Sequence, residues 1–295
     1  MPKLINLHVL DEKNVGDLLS SPLRYFDFPG YNCEARDLRT FDTQNIKDAH
    51  IIIGGGGLLF KRFLPNIEAV YKDKGVGQHI FWGVGQQSYQ ITQKIAFDYE
   101  PYTSRSNLVG VRDDNMIHPW VPCVSCMHPS FDKPRTTEHE FVIFSHKKFQ
   151  INIPGIPRIT NEESDFDKVL DFLGSGETIL TSSFHGAYWG TLLGRKVLAF
   201  PFSSKFFTLR HQPALYPVKK WSRNRWKFSI FGKTLYSLNH NGEKLACDIS
   251  NWREYVREIQ VFPNSLKECR SRNQWFYERV MTTLDTKNHD AQLLS

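Results

Sequence analysis

The chain alternates short, continuously apolar runs with segments of helical periodicity, and this alternation predicts its fold. In the first half, apolar runs at 3–10, 49–53, 78–84 and 107–111 end at glycine or charged residues, and a helix is expected to begin near Leu18. Strands that are apolar on both faces and stop in glycine-rich turns before helices are typical of a parallel sheet covered on both sides. The first half is therefore predicted to be α/β.

The second half repeats this pattern after a proline-rich, polar stretch at 128–134, which we interpret as a linker. The predicted elements are strands at 140–145, 178–182 and 197–200 and helices at 166–173, 187–193 and 264–284. We expect two Rossmann-like domains, 1–134 and 135–295, with the last helix in the second. Because ligands bind beyond the carboxyl ends of parallel strands, the expected site is a cleft between the two lobes.

Composition indicates a folded protein with an anionic partner. Of 295 residues, 40% are hydrophobic and 23% are charged, which argues against a disordered or fibrous protein. The net charge of +6 favours a phosphorylated metabolite, a nucleotide sugar, an anionic lipid or a nucleic acid. No nucleic-acid motif accompanies the basic residues, so no nucleic acid is expected. The sequence shows no signal peptide and no apolar run of about 18 residues, and a cytoplasmic location is expected.

The cysteines favour reduced thiols over disulfides. Their number, five, is odd, and they are scattered along the chain. Cys123 and Cys126 have the spacing of a metal or redox pair, but a zinc site needs a second ligand pair, and none stands at a suitable distance. We expect neither a metal nor a required cofactor.

Four consecutive glycines follow the apolar run at 49–53. They are not a phosphate-binding P-loop because no Gly-Lys-Ser/Thr follows, and Gly83 and Gly85 lack the third glycine of the dinucleotide fingerprint. Glycines allow the backbone to approach a ligand or a neighbouring element closely, and both alternatives remain open.

Five motifs, taken in order, resemble the polysaccharide pyruvyl transferase family. They are Asn-Val-Gly-Asp (14–17), Ile-Ile-Gly-Gly-Gly-Gly-Leu (52–58), Gly-Val-Gly (83–85), Gly-Val-Arg-Asp (110–113) and Thr-Ser-Ser-Phe-His-Gly (181–186). The resemblance implies a fold like the two-domain GT-B glycosyltransferases. It also implies transfer of pyruvate from phosphoenolpyruvate onto two hydroxyls of one sugar as a cyclic ketal, with release of phosphate. The implied acceptor is a saccharide or a lipid-linked glycan precursor of an exopolysaccharide, a capsule or another part of the cell envelope.

Two residues are candidates for proton transfer in this reaction. A histidine that titrates near neutral pH can protonate the enol ether carbon of phosphoenolpyruvate, and we expect His185 to do so. Its expected position at a helix N-terminus also places it beside N–H groups that favour a phosphate. Asp17 matches a family motif and is expected to accept a proton from the sugar hydroxyl, although a helix cap is an equally good interpretation.

The resemblance also implies the donor-binding residues. Arg112 and Lys205 match donor-binding cations, and Gly55 and Gly56 are expected to bring the backbone close to the donor. Many members carry an arginine where this chain has Ser183. We assign Ser183 to the donor site and, from its closeness in sequence, expect Arg210 to supply the missing positive charge.

A basic, aromatic segment without acidic residues spans 219–233. Within it, Trp221, Arg223, Arg225 and Trp226 are expected to bind the acceptor, and the segment is expected to contact an anionic membrane at its inner face. A surface hairpin without a ligand is the alternative.

Two other functions stay open. The first is a GT-B glycosyltransferase that uses a nucleotide sugar, and the second is a glycan or nucleotide binder without catalysis.

Overall fold

A computed structural model describes residues 1–42, 46–73, 75–90, 93–115, 117–223, 244–257 and 259–285 in full. For 225–230, 233–239 and 286–293 it describes the backbone alone. The chain folds into two lobes, each built on a five-stranded parallel sheet. This confirms the predicted α/β class with two Rossmann-like lobes and a cleft between them.

The first sheet has the strand order β2-β1-β3-β4-β5. Its strands are β1 (Lys3–His8), β2 (Asn32–Asp37), β3 (Ala49–Leu59), β4 (His79–Gln86) and β5 (Leu108–Val111). All four pairings are parallel. The central strands are buried on both faces, which explains why they are continuously apolar in sequence.

The second sheet has the order β11-β10-β9-β6-β8, again with parallel pairings. Its strands are β6 (His139–Ser145), β8 (Arg158–Thr160), β9 (Gly176–Thr181), β10 (Lys196–Ala199) and β11 (Ala214–Leu215). Counted from the start of each lobe, both sheets have the order 2-1-3-4-5. In this topology ligands bind where the strand order reverses, which is beside β1 and β3 in the first lobe and beside β6 and β9 in the second.

The remaining strands are short or lie outside the two main sheets. They are β7 (Phe149–Gln150), β12 (Ser222–Arg223) and β15 (Leu245–Ala246) in one small sheet, and the antiparallel hairpin of β13 (Arg225–Ile230) and β14 (Lys233–Asn239). The helices are α1 (Val15–Leu18), α2 (Leu64–Lys72), α3 (Glu100–Thr103), α4 (Phe166–Ser175), α5 (Phe184–Leu192) and α6 (Ser265–Leu293). No helix within the described part of the chain is long and apolar enough to cross a membrane.

Three local predictions were wrong. The helix expected from Leu18 is the single turn α1, because Pro22 lacks an N–H group and starts a separate 3₁₀ turn, Pro22–Arg24. The glycines 54–57 do not end their strand but continue it, since β4 runs parallel beside them and pairs with Gly54 and Gly56. The stretch interpreted as a linker is packed, with Phe131 buried in the core of the second lobe.

Helix α6 packs against both lobes. Phe276 and Val280 lie in the core beneath the first sheet, and the indole Nε1 of Trp82 donates to Asn273 Oδ1 at 2.9 Å. Near the start of the helix, the Ser265 hydroxyl donates to the carbonyl of Thr191 in the second lobe at 3.0 Å. The helix that we assigned to the second domain therefore returns to the first lobe and holds both together.

His8, at the end of β1, predicts acid sensitivity of the fold. The side chain is 1% exposed, neither ring nitrogen has a hydrogen-bond partner among the described residues, and burial lowers its pKa to about 4. On acidification the unfolded chain takes up a proton that the folded chain excludes. Stability is therefore full above pH 6.5 and falls as the pH approaches 4.

From this ring alone, we expect the free energy of unfolding to drop by about 1 kcal/mol between pH 7.5 and 5.5. Urea unfolding at these two pH values checks the prediction. His8→Leu should show a smaller drop in the free energy of unfolding than the wild type. His139→Leu, at an exposed position, should show the same drop as the wild type. Equal drops in the wild type and His8→Leu would contradict it.

Candidate active site

The carboxyl ends of both sheets face one open cleft with a cavity volume of about 220 Å³. It lies at the position where the strand order of each lobe reverses. Six of the predicted site residues line it: Asp17, Gly56, Arg112, Ser183, His185 and Lys205. Since they come from both lobes, only the folded chain brings them together.

His185 is held tightly in the first turn of α5. Its side chain is 7% exposed, its ring stacks on Trp189 with centroids 4.9 Å apart, and its Nε2 lies 3.6 Å from Cys123 Sγ. A Cβ atom at Gly16 would lie 2.5 Å from the ring's Cγ and 2.6 Å from its Cε1. The imidazole therefore fits only because position 16 of the first lobe carries no side chain.

The structure corrects the expected ionisation of His185. Burial lowers its pKa well below the usual value, and the neighbouring charges of Arg112 and Lys205 lower it further. The free protein therefore carries a neutral imidazole at neutral pH, whereas the sequence suggested a ring titrating there. A bound anion that neutralises the two cations would raise this pKa and make protonation of the ring easier.

Arg112 is a buried cation without a carboxylate salt bridge among the described residues. It is 4% exposed, its Nε has no hydrogen-bond partner there, and its guanidinium lies over the Phe184 ring at 4.0 Å. A Cβ at Gly85 would lie 2.8 Å from its Cγ, and one at Gly57 would lie 3.3 Å from a terminal nitrogen. Gly57 in β3 and Gly85 in β4 thus make room for a guanidinium that remains available to a ligand.

Lys205 is carried by the second lobe but bound by the first. Its ammonium donates to Gln87 Oε1 at 3.1 Å. Three residues later, the Thr208 hydroxyl donates to Asp113 Oδ1 at 2.7 Å, and the backbone N–H of Asp114 donates to the Thr208 carbonyl at 2.7 Å. These bonds hold the lysine beside Arg112 and are the contacts that join its segment to β5.

The ionisation of Lys205 predicts a pH-dependent affinity for anions. Burial and the charge of Arg112 lower its pKa to about 7, against a smaller opposing effect of Asp17. Above pH 7 the amine is increasingly neutral and no longer attracts an anion. The dissociation constant of a probe anion such as sulfate is expected to rise about tenfold or more between pH 7 and pH 9.

Calorimetric titration at the two pH values measures this change. Lys205→Arg keeps its charge throughout the range and should flatten the dependence. An equally steep rise in this variant would show that another group is responsible.

Asp17 lies in the cleft opposite these cations. Asn14 Nδ2 donates to its Oδ2 at 2.6 Å, and Asn14 Oδ1 accepts from Asn161 of the second lobe at 3.1 Å. Burial raises the pKa of Asp17, while Lys205 and Arg112 oppose this. Asp17 does not cap α1, which begins after Asn14. Its carboxylate is therefore a base placed within the cleft.

Ser183 and the glycines have local structural roles. Ser183 is the N-cap of α5, since its hydroxyl accepts from the Gly186 N–H at 3.4 Å. Gly55, with φ of +83°, approaches the backbone of Ser20 so closely that a Cβ would clash. Gly56, with φ of +89°, borders the cleft near Asp17. Of the two alternatives for the glycines, Gly55 serves packing and Gly56 faces the cleft.

Other predicted residues do not line this cleft. Arg210 forms ion pairs with Asp114 at 3.4 Å and Glu268 at 3.1 Å, and therefore does not supply the missing charge. Trp221 packs inside the second lobe, with its Nε1 donating to the Pro201 carbonyl at 2.8 Å, and Arg223 is exposed on β12. The side chains of Arg225 and Trp226 lie outside the described part of the chain.

Sequence reasoning missed several residues that line the cleft: Asp11, Asn14, Arg39, Phe60, Arg62, Phe63, Gln87, Tyr89, His146 and Asn161. His146 has a ring with a defined tautomer. Its Nδ1 accepts from the Lys148 N–H at 3.0 Å, and burial together with Lys205 lowers its pKa to about 3. The neutral ring therefore carries its proton on Nε2. Its position directly after the strand β6 was the sequence signal that could have identified His146 as a cleft residue.

Comparison with known proteins adds little to this geometry. No family model and no curated sequence matches the chain. An uncharacterized protein from Klebsiella pneumoniae is similar with a TM-score of 0.41 and 14% identity, over 68% of this chain and 83% of that chain. The ADP-heptose lipopolysaccharide heptosyltransferase II of E. coli is similar with a TM-score of 0.34 and 10% identity, over 94% and 100% of the two chains. Similarity this low supports no functional argument.

Proposed function

We propose that this chain transfers the pyruvate of phosphoenolpyruvate onto two hydroxyls of one sugar, forming a cyclic ketal and releasing phosphate. The observation that supports this most is that Arg112, His185 and Lys205, which are far apart in sequence, line one cleft. Two cations suit a ligand with a carboxylate and a phosphate. An imidazole beside them can exchange a proton with that ligand.

The cleft supplies the groups that each step needs. A sugar hydroxyl bonds to the central carbon of phosphoenolpyruvate while the methylene carbon gains a proton from His185 and becomes a methyl group. Phosphate then leaves, and the second hydroxyl closes the ketal. Of the two hydroxyl protons, one restores the proton on His185 and the other leaves with the phosphate. Asp17, whose pKa is raised by burial, accepts the proton of the first attacking hydroxyl and passes it to the departing phosphate, which regenerates the carboxylate.

Calorimetric titration tests the donor half of the proposal. Phosphoenolpyruvate should bind, and nucleotide sugars should not. Arg112→Gln should weaken phosphoenolpyruvate binding about 10- to 150-fold, because a hydrogen bond to a charged group contributes about 1.5–3 kcal/mol. Arg210→Gln is the matched control, since this arginine is already paired outside the cleft. This variant should bind phosphoenolpyruvate with the affinity of the wild type.

Binding of nucleotide sugars without binding of phosphoenolpyruvate would overturn the proposal in favour of glycosyl transfer. Phosphate release assayed with a panel of glycans tests the chemical step. Tight phosphoenolpyruvate binding without phosphate release from any of them would favour a protein without catalysis.

A further inference from the structure

One wall of the cleft is aromatic and cationic, and none of its residues was predicted from sequence. Phe60, Arg62, Phe63 and Tyr89 form this wall, all from the first lobe. Tyr89 is 47% exposed, an unusual share for a large ring in this protein. Its ring stacks on Phe202 with an interplanar angle of 16°, and it meets Phe60 in a T-shaped contact with centroids 5.6 Å apart.

The exposed ring of Tyr89 is held by the backbone on both sides. Tyr89 forms an antiparallel β-bridge with Ser203 of the second lobe. The Ser88 N–H donates to Ser204 Oγ at 2.8 Å, and the Gln90 N–H donates to the Phe202 carbonyl at 2.9 Å. A ring fixed in advance loses little conformational entropy when a ligand packs on it. The exposed part of Tyr89 therefore belongs to a rigid surface.

Polar groups that can bind a sugar line the same cleft as this ring. Gln87 and Asp17 are among them and can bind hydroxyl groups. Arg62 lines the cleft too, is exposed, and makes no ion pair within the described part of the chain. The C–H face of a pyranose can pack on an aromatic ring, and a free guanidinium suits a phosphate.

We propose that Tyr89 and Arg62 form the acceptor site, which binds a phosphorylated pyranose with its ring on Tyr89 and its phosphate at Arg62. This places the sugar hydroxyls toward Asp17 and His185, where the donor cations also lie. The inference deepens the proposed function and rests on it for the identity of the reaction. The site itself is a property of the cleft wall and can be tested without the donor.

Calorimetric titrations with glucose, galactose and mannose 1-phosphates test the site directly. At least one should bind more tightly than both inorganic phosphate and the matching methyl glycoside. Tyr89→Ala should weaken this binding about 5- to 10-fold, and Tyr89→Phe should not, because the ring supplies the contact. Arg62→Gln should weaken it about tenfold, whereas Lys61→Gln, a neighbouring charge outside the cleft, should leave it unchanged.

Phosphoenolpyruvate titrations of the same variants separate this inference from the proposed function. The Tyr89 and Arg62 variants should bind phosphoenolpyruvate as the wild type does. If no sugar phosphate binds better than inorganic phosphate, or if Tyr89→Ala binds the sugar normally, the acceptor site is refuted even where phosphoenolpyruvate binds. Tighter binding of nucleotide sugars than of sugar 1-phosphates would also refute the acceptor site, because it would favour a glycosyltransferase donor site.

Discussion

His185→Gln is expected to lower turnover by about 10² to 10⁴, the usual contribution of a positioned acid or base. This corresponds to about 3–5 kcal/mol of transition-state stabilisation. The ring packs on Trp189 and lies 3.6 Å from Cys123 Sγ, so its position is set before any ligand binds. Glutamine keeps a polar side chain in that space but cannot carry the proton.

The pH dependence of turnover separates a proton-transfer role from a packing role. Burial, Arg112 and Lys205 lower the pKa of His185 in the free protein, and a bound trianion opposes the effect of both cations. At saturating phosphoenolpyruvate, kcat should therefore fall as the pH rises through the raised pKa of the complex. His185→Gln should lose this dependence while keeping most of its affinity for phosphoenolpyruvate.

The measurement is phosphate release at saturating donor, with His139→Gln as the control because that histidine is exposed and far from the cleft lining. Wild-type turnover in His185→Gln would remove the imidazole from the mechanism. Circular dichroism shows whether the variant is folded. A variant that failed to fold would lose phosphoenolpyruvate binding as well as turnover, whereas loss of the proton-transfer group alone should spare binding.

The second large effect is expected from Gly16→Ala, a change of one methyl group. Its Cβ would overlap the His185 ring, which is already packed against Trp189. Either the imidazole or the loop at α1 must shift. A displacement of about 1 Å at a reacting group costs about 10² in rate, and overpacking costs about 1–3 kcal/mol of stability.

Turnover and thermal unfolding together test this prediction. Gly30→Ala is the control, because position 30 has a φ of +88° but no atom within 4 Å of an added Cβ. It should lose stability through backbone strain and keep its turnover. In a His185→Gln background, Gly16→Ala should lower turnover little further, since both changes act on the same group. Additive losses in the double variant would show that Gly16 acts independently of the ring.

The strands that carry the site were predictable from local chemistry. Runs such as 49–53 and 107–111 are continuously apolar because helices or loops cover both faces of a parallel sheet. The residues that follow such runs lie at the carboxyl edge of the sheet, but Arg112 and His185 were singled out there only by the resemblance to a known family. Pro22 and the glycine run misled the prediction, because neighbouring strands and turns decide how such residues are used.

The ordered motifs and the two-lobed α/β class were thus properties of the sequence itself, since burial on both faces of each sheet imposes its pattern on the residues. The contacts and charges of the cleft, by contrast, could not be predicted from the sequence. Arg210 follows Lys205 closely in sequence but pairs elsewhere. Gly16 is far from His185 in sequence yet lies against its ring, and Tyr89 is far from Lys205 yet lines the same cleft. The lowered pKa values of His185 and Lys205 likewise arise from burial and from charges brought together by both lobes. Only the tertiary structure decides these, because desolvation and Coulomb forces depend on distances in space.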